Sequence, residues 1–146
     1  MIGRHDPSDF SDPGFDSEGG EPAGTVYDWF QRGRKLLAEG SPAAAAALLE
    51  RAAEAEPESR SIREALARAQ FNSRRYAEAV DSFRWIVDAN PAEDYAYFGL
   101  GLALWRTGDM DAAQEPLAIA VAMRPDQRHY VSALKSVRAT LRARRM

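Results

Sequence analysis

Cysteine is absent from the 146 residues, which excludes disulfides, cysteine-ligated zinc, iron–sulfur clusters and thiol chemistry. Histidine is nearly as scarce: His5 and His129 lie far apart in sequence, so a histidine-rich metal site is not expected. Long apolar runs are missing. Residues 43–49 and 117–123 are the longest, at seven residues each, against the roughly 20 that a spanning helix needs. The first residues are acidic and contain no apolar stretch, so no secretory leader is expected. Strand text is lacking as well, since nowhere do valine, isoleucine and aromatic residues alternate with polar ones. What is present is 45% hydrophobic and 28% charged, the balance of a globular domain. A chain of this length buries roughly 68–70% of its unfolded surface. These features predict a soluble, cytoplasmic, all-α protein with no membrane span and no cofactor.

The net charge of −3 is unevenly spread. Residues 1–24 hold six acids and one arginine, whereas residues 124–146 hold seven bases and one acid. The acidic segment has only Ile2, Phe10 and Phe15 as large apolar side chains. It cannot bury enough surface to offset its ordering entropy and is expected to be a disordered tail. Helical, alanine-rich text fills 25–146, the expected folded domain.

Three prolines order that text. Pro57, Pro91 and Pro125 stand 34 residues apart, twice. Counting back from each, 12 residues gives Ala45, Ala79 and Ala113; eight gives Leu49, Phe83 and Leu117; 24 gives Gly33, Ala67 and Gly101. Seventeen back stand Gly40, Arg74 and Gly108, a turn signal in two of three. A period of 34 with a turn in mid-repeat indicates stacked helix pairs. The spacing predicts first helices near 25–39, 59–73 and 93–107, and second helices near 42–55, 76–89 and 110–123. Small residues let paired helices approach closely, and each proline stops a second helix. Pro116 falls inside the last of these, where a kink or irregular turn is expected at 112–116. Tyr130, Val131, Leu134, Val137 and Leu141 form one stripe of a seventh helix over 127–144 that caps the stack.

The chain resembles the tetratricopeptide repeat family, with repeats at 26–57, 60–91 and 94–125. The third matches best, through Tyr97, Leu100, Gly101, Leu104, Gly108, Ala113, Leu117, Ala120 and Pro125. The first keeps Trp29, Gly33, Leu36, Gly40, Ala45, Leu49, Ala52 and Pro57 but has Arg32 where leucine is usual. The second departs at Arg63, Gln70 and Arg74. The resemblance implies an α-solenoid whose first helices line an inner groove that binds peptides or helices. A subset of the family clamps a ligand's terminal carboxylate with lysines and asparagines. The matching positions here are Phe30, Arg34, Ala65, Tyr95 and Gly99, so that clamp is absent and a chaperone-tail co-receptor is disfavoured.

A helix in a two-layer stack needs one apolar stripe, and the first helices carry two. Tyr97, Leu100, Gly101 and Leu104 face the partner helix. Tyr95, Phe98, Leu102 and Trp105 lie about 130° round. The matching sets are Tyr27, Phe30, Arg34 and Leu37, then Ser61, Glu64, Arg68 and Phe71. By resemblance these second stripes face the groove. The expected partner-binding residues are therefore Tyr27, Phe30, Phe71, Tyr95, Phe98, Leu102 and Trp105, edged by Arg34, Arg68 and Arg106. Aromatic floors and arginines suit an acidic peptide with apolar anchors. The alternative is packing between first helices, Phe98 and Leu102 above all, with solvated arginines.

The expected function is that of an adaptor or scaffold for a protein or peptide partner. The alternative is a structural, self-associating subunit, a homodimer or a fixed component of a complex. Residues 9–12 and 14–16 set Phe10 and Phe15 among acids, which suggests that residues 1–24 dock in the groove; a solubilising tail is the plainer reading. The basic end suits either contact with an acidic protein or the dipole of its own helix, and nucleic acid is disfavoured because residues 1–123 are net −9. No phosphate loop, catalytic triad or desolvated carboxylate pair is evident, so no enzymatic activity is expected.

Overall fold

The computed structural model describes residues 24–146, and the described residues form seven α-helices and no strand. The segment expected to be disordered, 1–24, lies outside the described residues apart from Gly24. Helices α1 (Val26–Ala38), α3 (Arg60–Asn72) and α5 (Asp94–Arg106) are the first helices of three pairs. Helices α2 (Pro42–Ala55), α4 (Tyr76–Ala89) and α6 (Met110–Met123) are the second, and α7 (Arg128–Arg144) follows. All six paired helices begin and end within one residue of the ranges that the proline spacing predicts. Each helix packs on its neighbours in sequence, α7 on α6, so the architecture is an α-helical repeat solenoid.

Local chemistry fixes the ends. Thr25 opens α1 with a capping box: the Asp28 N–H donates to Thr25 Oγ1 at 3.2 Å, and the Thr25 N–H donates to Asp28 Oδ2 at 3.0 Å. All three first helices end in the same reversal. The N–H groups of Ser41, Arg75 and Asp109 donate to the carbonyls of Leu36, Gln70 and Leu104 at 2.8–2.9 Å. This Schellman geometry needs a left-handed residue, and Gly40, Arg74 and Gly108 supply it with φ of 81°, 68° and 91°. Close pairing follows from the small residues. A methyl on Gly33 would stand 2.6 Å from Leu49 Cγ, and one on Gly101 2.5 Å from Leu117 Cγ.

The core divides into two clusters. One, rich in alanine, joins α1, α2 and α3 around Trp29, Leu49, Ile62 and Leu66. The other runs from Ala67 through Phe83, Ile86, Leu100 and Leu117 to Val137 and Leu141. The second repeat meets its unusual residues with specific partners. Arg63 lies over the Trp85 ring, 5.0 Å from its centroid. The Ser82 hydroxyl donates to Gln70 Oε1 at 2.6 Å in a buried pair.

Of the two expectations at Pro116, a kink or an irregular turn, the second is corrected. Helix α6 runs unbroken through Pro116, with no irregular turn at 112–116. Pro116 cannot donate to the Ala112 carbonyl, but Ala112 is exposed and both residues border a solvent-open cleft between α4 and α6. Water can take the carbonyl there, so the helix need not break.

Candidate functional site

The surface lined by α1, α3 and α5 carries two adjoining hollows. The first is a cavity of about 140 Å³ between α3, α4 and α5, bordered by Arg68, Phe71, Phe83, Tyr95, Phe98 and Leu102, with Asn72 and Gly99 completing it. Its lining is overwhelmingly apolar. Its depth depends on Gly99, because a methyl there would collide with the Phe83 ring. Phe83 belongs to α4, in the second layer, and its ring reaches the groove only through the gap that Gly99 leaves. Tyr95 meets the same ring edge-on, with centroids 6.2 Å apart. Burial, partly offset by Arg68, pushes the Tyr95 hydroxyl above its ordinary pKa.

The second hollow, about 240 Å³, lies between α1 and α3 and is mostly polar. Phe30, Arg34, Ser61, Glu64, Ala65 and Arg68 line it. Arg34 lies over the Phe30 ring at 5.6 Å. Both arginines are exposed. Burial, and then the neighbouring Glu93 carboxylate, raises the Glu64 pKa above the usual value. Arg68 borders both hollows, so an apolar hole and a cationic one share a rim.

The ten residues expected at the site are therefore not equivalent. Arg68, Phe71, Tyr95, Phe98 and Leu102 meet at the apolar cavity, and Phe30, Arg34 and Arg68 meet at the polar one. Tyr27 is 67% exposed and borders neither hollow; Trp105, half-buried, also borders neither. Arg106 is exposed but engaged: its Nη1 donates to the Tyr76 hydroxyl at 2.8 Å, and its guanidinium lies 5.4 Å and 5.8 Å from the Tyr76 and Phe71 ring centroids. Phe98 also serves packing, stacked on Tyr130 of α7 with centroids 4.6 Å apart. The sequence reading misses Asn72 and Phe83 as lining residues, names Ala65 and Gly99 only as positions of the absent clamp, and leaves Ser61 and Glu64 of the second stripe outside the expected site. Gly99 is the one available signal, a glycine in mid-helix on the stripe that should be aromatic.

Among the described residues no group of three or more His, Cys, Asp or Glu side chains is placed to hold a metal ion. No helix among them is long and apolar enough to cross a membrane. Two tetratricopeptide repeat models match the chain, one over residues 36–84 and the other over residues 64–128. Solved structures agree in fold. The structure titled MamA MSR-1 C2 has a TM-score of 0.76 at 24% identity, over 86% of this chain and 70% of that one. MamA from Desulfovibrio magneticus RS-1 has 0.76 at 21%, over 80% and 66%. The first TPR of Spaghetti (RPAP3), bound to the HSP90 peptide SRMEEVD, has 0.73 at 18%, over 80% and 92%. No curated protein matches the chain.

Proposed function

The chain belongs to the tetratricopeptide repeat family, and from that premise we propose that it is a protein-interaction module, an adaptor or scaffold without catalytic activity that works in the cytoplasm. Its groove takes a segment of a partner protein by one apolar anchor and one acid. The observation that carries this reading is the pair of hollows that share Arg68. Apolar cavities near 150 Å³ accept a benzene ring, so the hole of about 140 Å³ suits one phenylalanine or leucine side chain. Arg34 and Arg68 beside it suit a carboxylate, for which the guanidinium fork is built. The structural neighbour with an HSP90 peptide is a repeat domain that accepts a short peptide. In this chain Phe30 and Gly99 stand where a carboxylate clamp would need lysine or asparagine, so the anchor is side-chain burial.

The test is selection from a random peptide display library on the full chain. A second arm uses the Arg68→Glu/Tyr95→Ala variant, first shown by circular dichroism to be folded. Enriched peptides are expected to hold an aromatic or large aliphatic residue with an acid two or three positions away, and to lose enrichment on the variant. Equal enrichment on both proteins, or none on either, overturns the proposal.

A further inference from the structure

The sequence holds a segment with the chemistry of the two hollows. Residues 9–16 read Asp-Phe-Ser-Asp-Pro-Gly-Phe-Asp: two phenyl rings, each beside an acid. Resting on the groove reading above, we infer that residues 9–16 of the same chain are the groove's resident occupant. One phenyl ring fills the apolar cavity, and its neighbouring aspartates meet Arg68 and Arg34.

Three observations carry this. The first is size: the cavity of about 140 Å³ matches one phenyl ring. The second is charge. Residues 1–24 are net −5, and the polar hollow presents two arginines against one glutamate. The third is reach. The capping box fixes the chain at Thr25, on the helix that carries Phe30 and Arg34. From α1 to the cavity beyond α3 is about two interhelical steps, roughly 20 Å. Adding a displacement of about 10 Å along the helices gives a span of about 22 Å. The ten residues from Phe15 to Thr25 reach about 33–36 Å when extended, and those from Phe10 reach further.

A tethered ligand has an effective concentration on the order of 1 mM. An intrinsic affinity of only about 100 μM therefore fills the groove about nine-tenths of the time, and an incoming partner segment must displace it. Docking of this kind makes the groove selective: only a partner that outcompetes the tethered segment binds.

The absence of cysteine makes the test direct. Ser11→Cys in the full chain carries a single nitroxide spin label. Amide signals of Arg68, Phe71, Tyr95, Gly99 and Leu102 are expected to broaden, and to recover when Phe10→Ala/Phe15→Ala is added. Mixing spin-labelled, isotopically silent protein with label-free ¹⁵N protein is expected to broaden nothing. Broadening that survives the double substitution, broadening only in the mixture, or none at all overturns the inference. A library-selected peptide separates this failure from failure of the groove. It is expected to bind the Phe10→Ala/Phe15→Ala chain roughly tenfold more tightly than wild type, the ratio set by the effective concentration above. Equal tight binding to both refutes tail docking and leaves the groove intact, while binding to neither refutes both.

Discussion

At the scale of single residues, the second repeat is the informative one, because it departs most from the pattern of its neighbours. Arg74 occupies the left-handed turn position that glycine fills in the other two repeats, with φ of 68°. A residue with a Cβ pays roughly 1–2 kcal/mol in that conformation. Part of this is returned because glycine has a more disordered unfolded state. Arg74→Gly is therefore expected to raise stability by about 0.5–1 kcal/mol, read as a higher urea midpoint with an unchanged slope. Gly108→Ala should do the reverse by about 1 kcal/mol; no atom lies within 4 Å of the added methyl, so the cost is purely backbone. Gly99 carries a different consequence, because its missing side chain keeps the apolar cavity open. Gly99→Ala forces the Phe83 ring out of place and should cost about 1–3 kcal/mol through overpacking. It should also abolish binding of library-selected peptides in a chain that calorimetry shows to be folded; retained affinity would remove the cavity from the site. Residue by residue, the sequence makes the stripe visible and hides the hole. Tyr95, Phe98 and Leu102 follow from helical spacing alone. The contact between Gly99 on one helix and Phe83 on another joins residues 16 apart in sequence, across a helix–helix packing distance that no periodicity encodes. The capture of Arg106 by Tyr76 is hidden for the same reason: it crosses from one repeat to the previous one.

At the scale of elements, the helices were legible because the signals that end them are chemical and local. Proline after each second helix and a left-handed residue after each first helix stop the chain at fixed intervals. The irregular turn expected at Pro116 does not form, because a freed carbonyl that can reach water need not break its helix. Whether Ala112 faces solvent is a property of packing, not of its own segment. Helix α7 is held by its buried stripe of Tyr130, Ala133, Leu134, Val137 and Leu141 and by one polar contact, in which the Tyr130 hydroxyl donates to Asp94 Oδ2 at 2.6 Å. Burial and then that hydrogen bond push the Tyr130 pKa up to about 12 from an ordinary 10. The folded state thus holds this proton more tightly than the unfolded state does. The stabilisation is complete below about pH 10 and is lost as pH rises from about 10 to about 12. Wild type should lose about 1 kcal/mol more than Tyr130→Phe across that window, the full shift being reduced by solvent screening of the hydroxyl, measured by urea unfolding at matched pH values. Parallel curves for the two proteins would show that the hydrogen bond does not couple α7 to α5. Phe98, stacked on Tyr130, makes the same contact a wall of the groove, so loosening α7 at high pH should weaken peptide binding as well.

At the scale of the whole molecule, stability in a solenoid is close to a sum of repeats and their nearest-neighbour interfaces, so it need not be uniform. The two core clusters here differ in kind. The one around α1 and α2 is built largely of alanine, at Ala45, Ala46, Ala52, Ala53, Ala65 and Ala69, with Trp29 as its one buried aromatic residue. The one from α4 to α7 interlocks Phe83, Ile86, Leu100, Leu104, Leu117, Leu134 and Val137. Larger side chains bury more apolar surface, at about 25 cal/mol per Å², so the second cluster is the stronger. Helix α3 joins them, and its interface with α4 includes the buried polar pair Gln70–Ser82 and the Arg63–Trp85 stack. An interface that depends on polar pairing opens at lower cost than an apolar one of the same area, because water can replace its hydrogen bonds. Helices α1, α2 and α3 are thus expected to open as a unit at the α3–α4 interface before the remainder, leaving α4–α7 folded. Native-state hydrogen exchange reads this directly. Amides of α1 to α3 should exchange together with a free energy below that of α4 to α6, in the manner of a local cooperative unit. Replacing the polar pair by Gln70→Leu/Ser82→Ala, which leaves neither partner unsatisfied, should move the two groups of amides closer together. One shared exchange free energy in wild type would show that the chain behaves as a single cooperative block. The biological consequence follows from where the halves divide. The polar hollow draws on α1 and α3, whereas the apolar cavity draws on α3, α4 and α5. Opening of α1 to α3 would therefore dismantle the arginine end of the groove and strip the apolar cavity to its α4 and α5 walls. A bound acid at Arg34 and Arg68 would close that opening again, so ligand binding is expected to slow exchange in α1 to α3 more than in α4 to α7.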